Sequence, residues 1–589
     1  MKRNLLKKIL AGILIGCLLL FASCGIEMGT TDSDGTTDTD STDSSETVAI
    51  SATAVTAEDA ESAKISITDD FTITTEAENG YTQNGSVYTI TKAGEYTLSG
   101  ALSDGQVRVE AGEDDEVTLI LSNASITCST DSPIYILTAD KVKIKAAGDY
   151  NEINDTRALQ TNENDTTGSA AIYAECDLNL LGSGNLVVNA TYNNGIHTKD
   201  DLKIKNLTLK VTAPNNAIKG NDSLTIESGE IRAISTSGDA LKTSNSDVSS
   251  KGNQRGTIEI TGGTVTLWAG CDGIDAAYNV IISGTPNLLI YTNSYSSHTI
   301  DSLKTTKTSS SSRTGGFGGS SGNTAKSQES SKGIKADNEI TISGGTIEIY
   351  CKDDGIHANS DVALENGATP TGNVTISGGS ITITATDDGI HADGTLQFDG
   401  GYVHIVDSYE GLEGHYVNVN AGELHVYATD DGVNATGSSS KQSDGLITVT
   451  GGQMYVEVAG NDVDGIDANG SYKQTGGIVV VSNPNADSSG NMAAVDTDGG
   501  VTITGGLIVA LGTVPSGGGM GGPGGRGGPG SFGVGGTTAS SSLPSGYVTI
   551  SGLSAGTHTV TYGGVTGTFT LKKAVSAGWV WSSGTYTLN

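Results

Sequence analysis

The chain is predicted to be all-β, a parallel β-helix that closes with a small C-terminal β-rich segment, and three observations carry that prediction. The first is composition: the 589 residues include 83 Gly, 9 Pro, 6 Phe and 3 Trp, so the apolar content comes mainly from Val, Ile, Leu and Ala. β-Branched residues and glycine are weak helix formers, and no stretch beyond the N-terminus sustains an apolar period of 3.6. The second is a repeat in which strand, Gly pair, strand and Asp-Gly turn recur in that order. VTISGGSITITATDDGIHA (374–392) is one copy, with relatives at 340–358, 396–414, 417–435 and 447–468, a weaker one at 501–511, and upstream ones at 180–198, 224–242 and 257–276. The third is alternation within each unit, as in Ile340, Ile342, Ile347 and Ile349, which turns one side of every strand to a common interior.

The spacing of the turn glycines favours a solenoid. Gly355, Gly389, Gly411, Gly432 and Gly465 are separated by 34, 22, 21 and 33 residues. A unit of two or three short strands cannot bury its own apolar face, whereas stacked units bury a continuous one. The longer steps then read as rungs carrying a loop. A β-propeller needs hairpins at a regular spacing that these turns do not supply, and a β-sandwich fits the composition but not the repeat.

Along the chain, residues 1–24 read as an export signal: Lys2, Arg3, Lys7 and Lys8 precede an apolar run from Ile9 to Ala22. Its end, Phe21-Ala22-Ser23-Cys24-Gly25, resembles a bacterial lipobox. That resemblance implies that Cys24 is acylated and that the protein is held on the outer face of the cell membrane. An uncleaved anchor or a simple secretory signal are the alternatives. Residues 25–48 are Ser, Thr, Asp and Gly with little to bury, and read as a solvated tether. The β-helical body is expected over 49–515 with a flexible insertion at 305–330, followed by a Gly-rich linker at 516–542 and a C-terminal β segment at 543–589.

The formal net charge of −35 comes from 67 acidic against 32 basic residues. Such a surface repels nucleic acid and anionic membranes and favours cations. An anionic polymer would need a bridging ion or a local basic patch. After Cys24, the cysteines at 128, 176, 271 and 351 form no CxxC, so a zinc or redox site is poorly supported and buried single thiols are expected.

The acidic turns are the candidate chemistry. They place Asp272 and Asp275, Asp353 and Asp354, Asp387 and Asp388, Asp430 and Asp431, and Asp462, Asp464 and Asp467 at equivalent points of successive units. Stacked strands lie ~4.8 Å apart and calcium takes oxygens at ~2.4 Å, so one Ca²⁺ fits between carboxylates of adjacent rungs. Unneutralised, such a pair repels by roughly 1 kcal/mol in water and roughly 3 kcal/mol at an effective dielectric near 20. The alternative is purely structural, because Asp-Gly is an ordinary turn former in which Gly accepts positive φ and Asp bonds its own backbone. His357, His391, Tyr409, Lys335 and Lys352 lie in or beside the same turns and are the candidate sugar-binding residues.

Several ordered segments, among them ITKAGEYTLSGALSDGQVRVEA (90–111), AAIYAECDLNLLGSGNLVVNATYNNGIHTKDDLKI (170–204) and the DDGIHA turns, resemble a family of bacterial surface carbohydrate-binding proteins first described from cellulose-degrading clostridia. The resemblance runs from about Tyr88 to Leu511. It implies a right-handed, three-faced, pectate-lyase-like β-helix with calcium sites that binds polygalacturonate or pectin, with cellulose as a further candidate, and no established catalysis; a monomer is expected. THTVTYGGVTGTFT (557–570) is similar to the family's closing segment, while the Gly-rich linker and the 305–330 insertion depart from its pattern.

Three functions are thus open: a calcium-dependent binding protein, a calcium-dependent pectate lyase, and an adhesion scaffold. A lyase needs a basic side chain close to the ion; Lys352 and Lys335 are the first candidates, then Lys199, Lys219 and Lys242. A paired-carboxylate glycosidase has too many Asp pairs to single one out. Tyr350, Tyr402, Tyr409, Tyr416, Tyr427 and Tyr455 recur beside the turns; exposed rings would stack on sugars, and inward ones would only pack.

Overall fold

The computed structural model describes residues 67, 69–161, 167–292, 330–438, 441–460, 463–486, 492–513 and 544–589. The predicted signal with Cys24, the tether, Asp462, the Gly-rich linker and all but the last residue of the 305–330 insertion lie outside them. The described residues are all-β apart from a single 3-10 turn at Gln442–Asp444. No described helix is long and apolar enough to cross a membrane.

Thirty-nine strands join one continuous hydrogen-bonded system, and in the body each strand pairs in parallel with the strand one repeat later. Three ladders result, visited in turn. The first contains Ala170–Ala174, Asn194–Thr198, Ile218–Gly220, Leu241–Lys242, Ile274–Ala276, Ile334–Ala336 and Ile356–Ala358. It continues through the starts of Ile390–Asp407 and Leu412–Ala428 to Val433–Ala435, Ile466–Ala468 and Val495–Thr497. The second begins with Asp177–Gly182, Asp201–Lys205 and Ser223–Ile226. The third begins with Asn185–Ala190, Leu207–Ala213 and Gly229–Ser235.

The alternating apolar residues make this register unique, because a slip by one residue would turn every side chain to the opposite face. Ile334, Ile356, Ile390, Leu412, Val433 and Ile466 stack as one fully buried column. Each such side chain contributes about 1.5–3 kcal/mol relative to exposure. The ends are closed by antiparallel pairing: Tyr81–Asn84 with Val87–Ile90 at one end, and Ala577–Ser582 with Val501–Leu511 and Val548–Ser551 at the other. A separate three-stranded sheet, Val565–Leu571, Gly556–Tyr562 and Tyr586–Leu588, follows. It packs on the downstream outer face of the third ladder, where Ile478, Val480, Leu507 and Val509 meet Val560, Phe569 and Leu571.

The two kinds of repeat glycine do different work. The second glycine of each pair, Gly345 or Gly379 for example, has φ near +89° or +88° and lies where long strands such as Glu339–Tyr350 slip register. The Asp-Gly glycines were expected to supply positive φ, and they do not. They are required by crowding: a Cβ on Gly389 would lie 2.5 Å from Ile405 Cδ1 and 2.6 Å from the carbonyl oxygen of Gly411. Cys128, Cys176 and Cys351 are buried, Cys271 is half-buried, and all four are free thiols.

Of the tyrosines, Tyr350 and Tyr455 are only 5% and 4% exposed. Tyr350 stacks on Tyr291 with ring centroids 5.2 Å apart, and Tyr291 on Trp268 at 6.1 Å, which is packing between successive rungs of the third ladder. Tyr402 is exposed.

The crowding account predicts that Gly389→Ala destabilises by about 1–3 kcal/mol through overpacking, read as a lower urea midpoint at unchanged slope. An unchanged midpoint would show that the turn has room for a methyl group.

Candidate functional site: a charged column on the first ladder

In each short strand of the first ladder, a buried aliphatic residue and a buried small one flank a residue that faces outward. Parallel register stacks these outward residues into one column over eleven rungs: His197, Lys219, Lys242, Asp275, Lys335, His357, His391, Glu413, Asn434, Asp467 and Asp496. Three residues earlier, the turn residues form a second row: Asn194, Asn216, Asp239, Asp272, Lys332, Asp354, Asp388, Glu410, Asp431 and Asp464.

That second row is structural in part. The Asp272 N–H donates to Asp239 Oδ1 at 3.0 Å, the Lys332 N–H to Asp272 Oδ1 at 2.7 Å, the Asp388 N–H to Asp354 Oδ1 at 3.1 Å and the Asp464 N–H to Asp431 Oδ1 at 2.7 Å. Asn194 and Asn216 accept equivalent bonds at 3.2 Å. One carboxylate oxygen of Asp239, Asp272, Asp354, Asp431 and Asp464 therefore caps the next rung, and the other remains for the column.

Upstream, lysines neutralise the acids. Lys242 Nζ lies 2.6 Å from Asp239 and 2.5 Å from Asp275, and Lys335 Nζ lies 3.2 Å from Asp275 and 3.7 Å from Asp337. Lys332 bridges Asp353 at 2.9 Å and Asp354 at 2.8 Å. Burial opposes the Lys335 charge, but Asp275, Asp337 and Asp272 outweigh it and hold its pKa up. Burial, then Asp275 and Asp239, push the Asp272 carboxyl up to about 7. The Lys219 ammonium makes no hydrogen bond or ion pair among the described residues; burial and the neighbouring Lys242 lower its pKa.

At mid-column the His357 and His391 rings stack face to face, 4.3 Å apart and inclined by 5°. Each nitrogen meets a carboxylate. His357 Nδ1 lies 2.5 Å from Asp354 and His391 Nδ1 2.9 Å from Asp388 and 3.2 Å from Glu413, while Asp393 Oδ1 sits 3.5 Å and 3.3 Å from the two Nε2 atoms. Burial disfavours both imidazolium ions, yet these carboxylates prevail, raising His357 and lifting His391 to about 11. Although burial opposes it, the two histidines and the Ser360 N–H hold Asp393 far below the usual carboxylate range.

Downstream the balance is lost. Burial first, then neighbouring acids, push Glu410 to about 9 and Glu413 to about 7, with His391 opposing at Glu413. Burial, with Asp496, Asp431 and Asp467, raises Asp464 to about 8; burial, with Asp431, Asp496 and Asp498, raises Asp467 to about 7. No Lys, Arg or His is paired with Asp464 or Asp467 among the described residues.

The structure therefore brings Asp272, Asp275, Lys335, Asp354, His357, Asp388, His391, Asp431, Asp464 and Asp467 onto two adjoining rows. Ligand atoms of Asp353, Asp354 and Asp387 come within 4.8 Å of one another, as do those of Asp239, Asp272 and Asp275. Asp430 and Tyr409 meet through the backbone: the Asp430 N–H donates to the Tyr409 carbonyl at 2.8 Å, and the Tyr409 N–H to the Asp387 carbonyl at 2.8 Å. Lys352 precedes the turn and lies off the column; its N–H donates to Thr292 Oγ1 at 3.3 Å. Sequence reasoning missed Asp239, Lys332, Asp393, Glu410 and Glu413. Aligning KGIKA (332–336) and EGLEG (410–414) on DGIHA would have found three of them.

The donor sets fit metal unequally. Around Asp239 and Asp275 an ammonium already occupies the place of a cation, and at His357 and His391 the imidazolium ions do. Asp464, Asp467 and Asp496 offer only oxygen donors, the kind that a hard cation takes, and the carboxylates of Asp177, Asp200 and Asp201 also come within 4.8 Å of one another.

The histidine clamp has a definite pH signature. A raised imidazole pKa gives stability that is complete below the unfolded value of roughly 6.5 and is lost as pH climbs through about 11 for His391. The depressed Asp393 carboxyl gives stability that is present above roughly 3.9 and lost as pH falls below it. Histidine ¹H–¹⁵N NMR at about pH 8 is expected to show His391 doubly protonated, with Asp393→Asn moving its titration to lower pH. A neutral His391 at that pH would contradict the clamp.

Residues 84–372 match the model of a family described as "Carbohydrate-binding domain-containing protein". A relative of the same description from Acetivibrio thermocellus is 44% identical over 125 residues, which is 20% of this chain and 44% of its own length, so the chain spans less than half of that relative. A solved structure of the "polysaccharide lyase-like protein from C. thermocellum" is 36% identical, with an overlap covering 37% of this chain and 86% of that one at a TM-score of 0.34. The stretch that the family model matches takes in the upstream column through His357.

Proposed function

We propose that the protein is an exported surface protein, lipid-anchored through Cys24, whose body is a right-handed parallel β-helix binding an acidic plant cell-wall polysaccharide along the charged column. The hand follows from the preference of parallel crossover connections, right-handed in about 98% of cases. The observation that carries the reading is the column itself, a charged row eleven rungs long that begins within the family match. Lys219 suits a uronate carboxylate directly, and Ca²⁺ at Asp464, Asp467 and Asp496 bridges further uronates to the acidic end.

Binding is favoured over lyase chemistry because Lys335, held charged by Asp275 and Asp337, is a poor proton acceptor at neutral pH. Lys219 gives the lyase reading its one support, since its lowered pKa and its lack of a described partner suit a general base.

The test is electrophoresis of the chain lacking residues 1–24 through gels with and without polygalacturonate, in calcium or in chelator. Calcium-dependent retardation is expected, together with a calcium-induced rise in the thermal midpoint, and the double variant Asp464→Asn, Asp467→Asn is expected to lose both. Retardation in no lane would contradict uronate binding. Unsaturated product formed by the wild type and lost in Lys219→Ala would establish the lyase instead.

A further inference from the structure

A cavity of about 340 Å³ opens between the third ladder and the C-terminal sheet. It lies beyond residues 84–372 and on a different ladder from the charged column. Its origin is legible in the register. Outward residues His404, His425, Tyr455, Val480 and Val509 stack on successive rungs. The apolar downstream members are covered by the C-terminal sheet, and the cover ends over Tyr455, where the row turns to histidine.

The covering strand is fixed closely at that rim. The Glu457 carboxylate accepts the Lys572 N–H at 2.9 Å and the Lys573 N–H at 3.1 Å. Phe569 stacks on Tyr455 at 5.7 Å and 13°, and Lys572 Nζ lies 3.0 Å above the Tyr427 ring. A Cβ on Gly567 would lie 1.5 Å from the Tyr455 hydroxyl, so this glycine lets the strand seat directly on the ring.

The lining combines rings with polar groups that point different ways. Tyr455 and Phe569, 4% and 3% exposed and stacked on each other, and the half-buried Tyr427 beneath Lys572 give the cavity an apolar lining suited to the C–H groups of a pyranose, with no bare ring face. His425 Nε2 is committed to Glu423 at 2.7 Å, whereas the His404 ring takes no hydrogen bond among the described residues and is left to serve a ligand. Burial, then His425 and Lys572, lower the His404 pKa, so it meets a ligand as a neutral donor and acceptor. With Glu457 occupied by backbone N–H groups and Lys572 at the rim, the cavity lacks the excess of carboxylates that makes the column dependent on cations.

We propose that this cavity is a second sugar-binding site, which takes one pyranose residue of a glycan chain without a metal ion. The ring packs against this apolar lining, and its hydroxyls or carboxylate bond to His404 and Lys572. The ligand class rests on the carbohydrate-binding reading; the site and its metal independence do not rest on the column.

The test is calorimetric titration of the chain lacking residues 1–24, in chelator, with cellohexaose in one arm and trigalacturonate in the other. Binding in either arm is expected, about tenfold weaker in His404→Ala as one hydrogen bond is lost, and the arm that binds tells a neutral ring from an acidic one. Lys572→Ala, also outside the buried core, is expected to weaken the acidic arm more. Binding that survives both substitutions unchanged would overturn the site. Binding of trigalacturonate only when calcium is restored would overturn this site and leave the column standing, whereas no binding under either condition would remove both.

Discussion

Everything in this molecule depends on in-register parallel stacking. Strands ~4.8 Å apart in parallel register place each side chain directly over its equivalent in the next repeat. Inside, that is favourable, since Ile stacks on Ile and one continuous core results. Outside, the same geometry sets charge against charge, and a pair of carboxylates at that spacing costs roughly 3 kcal/mol at an effective dielectric near 20. The chain meets this cost in three ways along one column. It interposes Lys242, Lys332 and Lys335 upstream and encloses a stacked imidazolium pair in four carboxylates at the centre. Downstream it leaves Asp464 and Asp467 without a basic partner among the described residues, and their raised pKa values let protons neutralise them.

The turn carboxylates serve two purposes at once. One oxygen caps the backbone N–H of the following rung, a role that Asn194 and Asn216 fill equally well without charge. The other faces its neighbours on the column. Structural and functional accounts of these residues are therefore complementary, and substitution by Asn separates them: the cap survives while the charge is lost.

Much of this was legible in the sequence. The alternation Ile340, Ile342, Ile347, Ile349 follows the observed burial, and the Gly pairs fall where long strands slip register. The positions of the turn acids were legible too, because their spacing repeats. Their partners were not, since pairing depends on which side chain of the adjacent rung faces which, and Lys332, Glu410 and Asp393 interrupt the Asp pattern that was being followed. The Asp-Gly glycine was read through its dihedral freedom, when the real constraint is the carbonyl of the next rung's glycine, a contact between residues 22 positions apart at Gly389 and Gly411. Continuous apolar runs such as IVVVS (478–482) mark strands buried on both faces. That signal was not among those that predicted the fold, and nothing local names the element that covers them.

The two exposed rows differ in kind: a long charged column on the first ladder, and a short aromatic cleft at the rim of the C-terminal sheet. An extended polymer suits the first, a single ring the second. The measurement that tests the central claim most directly is a crystal structure of the chain lacking residues 1–24 with an oligogalacturonate in calcium. The account predicts sugar residues along the row from Lys219 to Asp496, with Ca²⁺ between the polymer and Asp464 and Asp467. An oligosaccharide bound elsewhere with that row bare, or calcium held only where lysines already pair the acids, would contradict it.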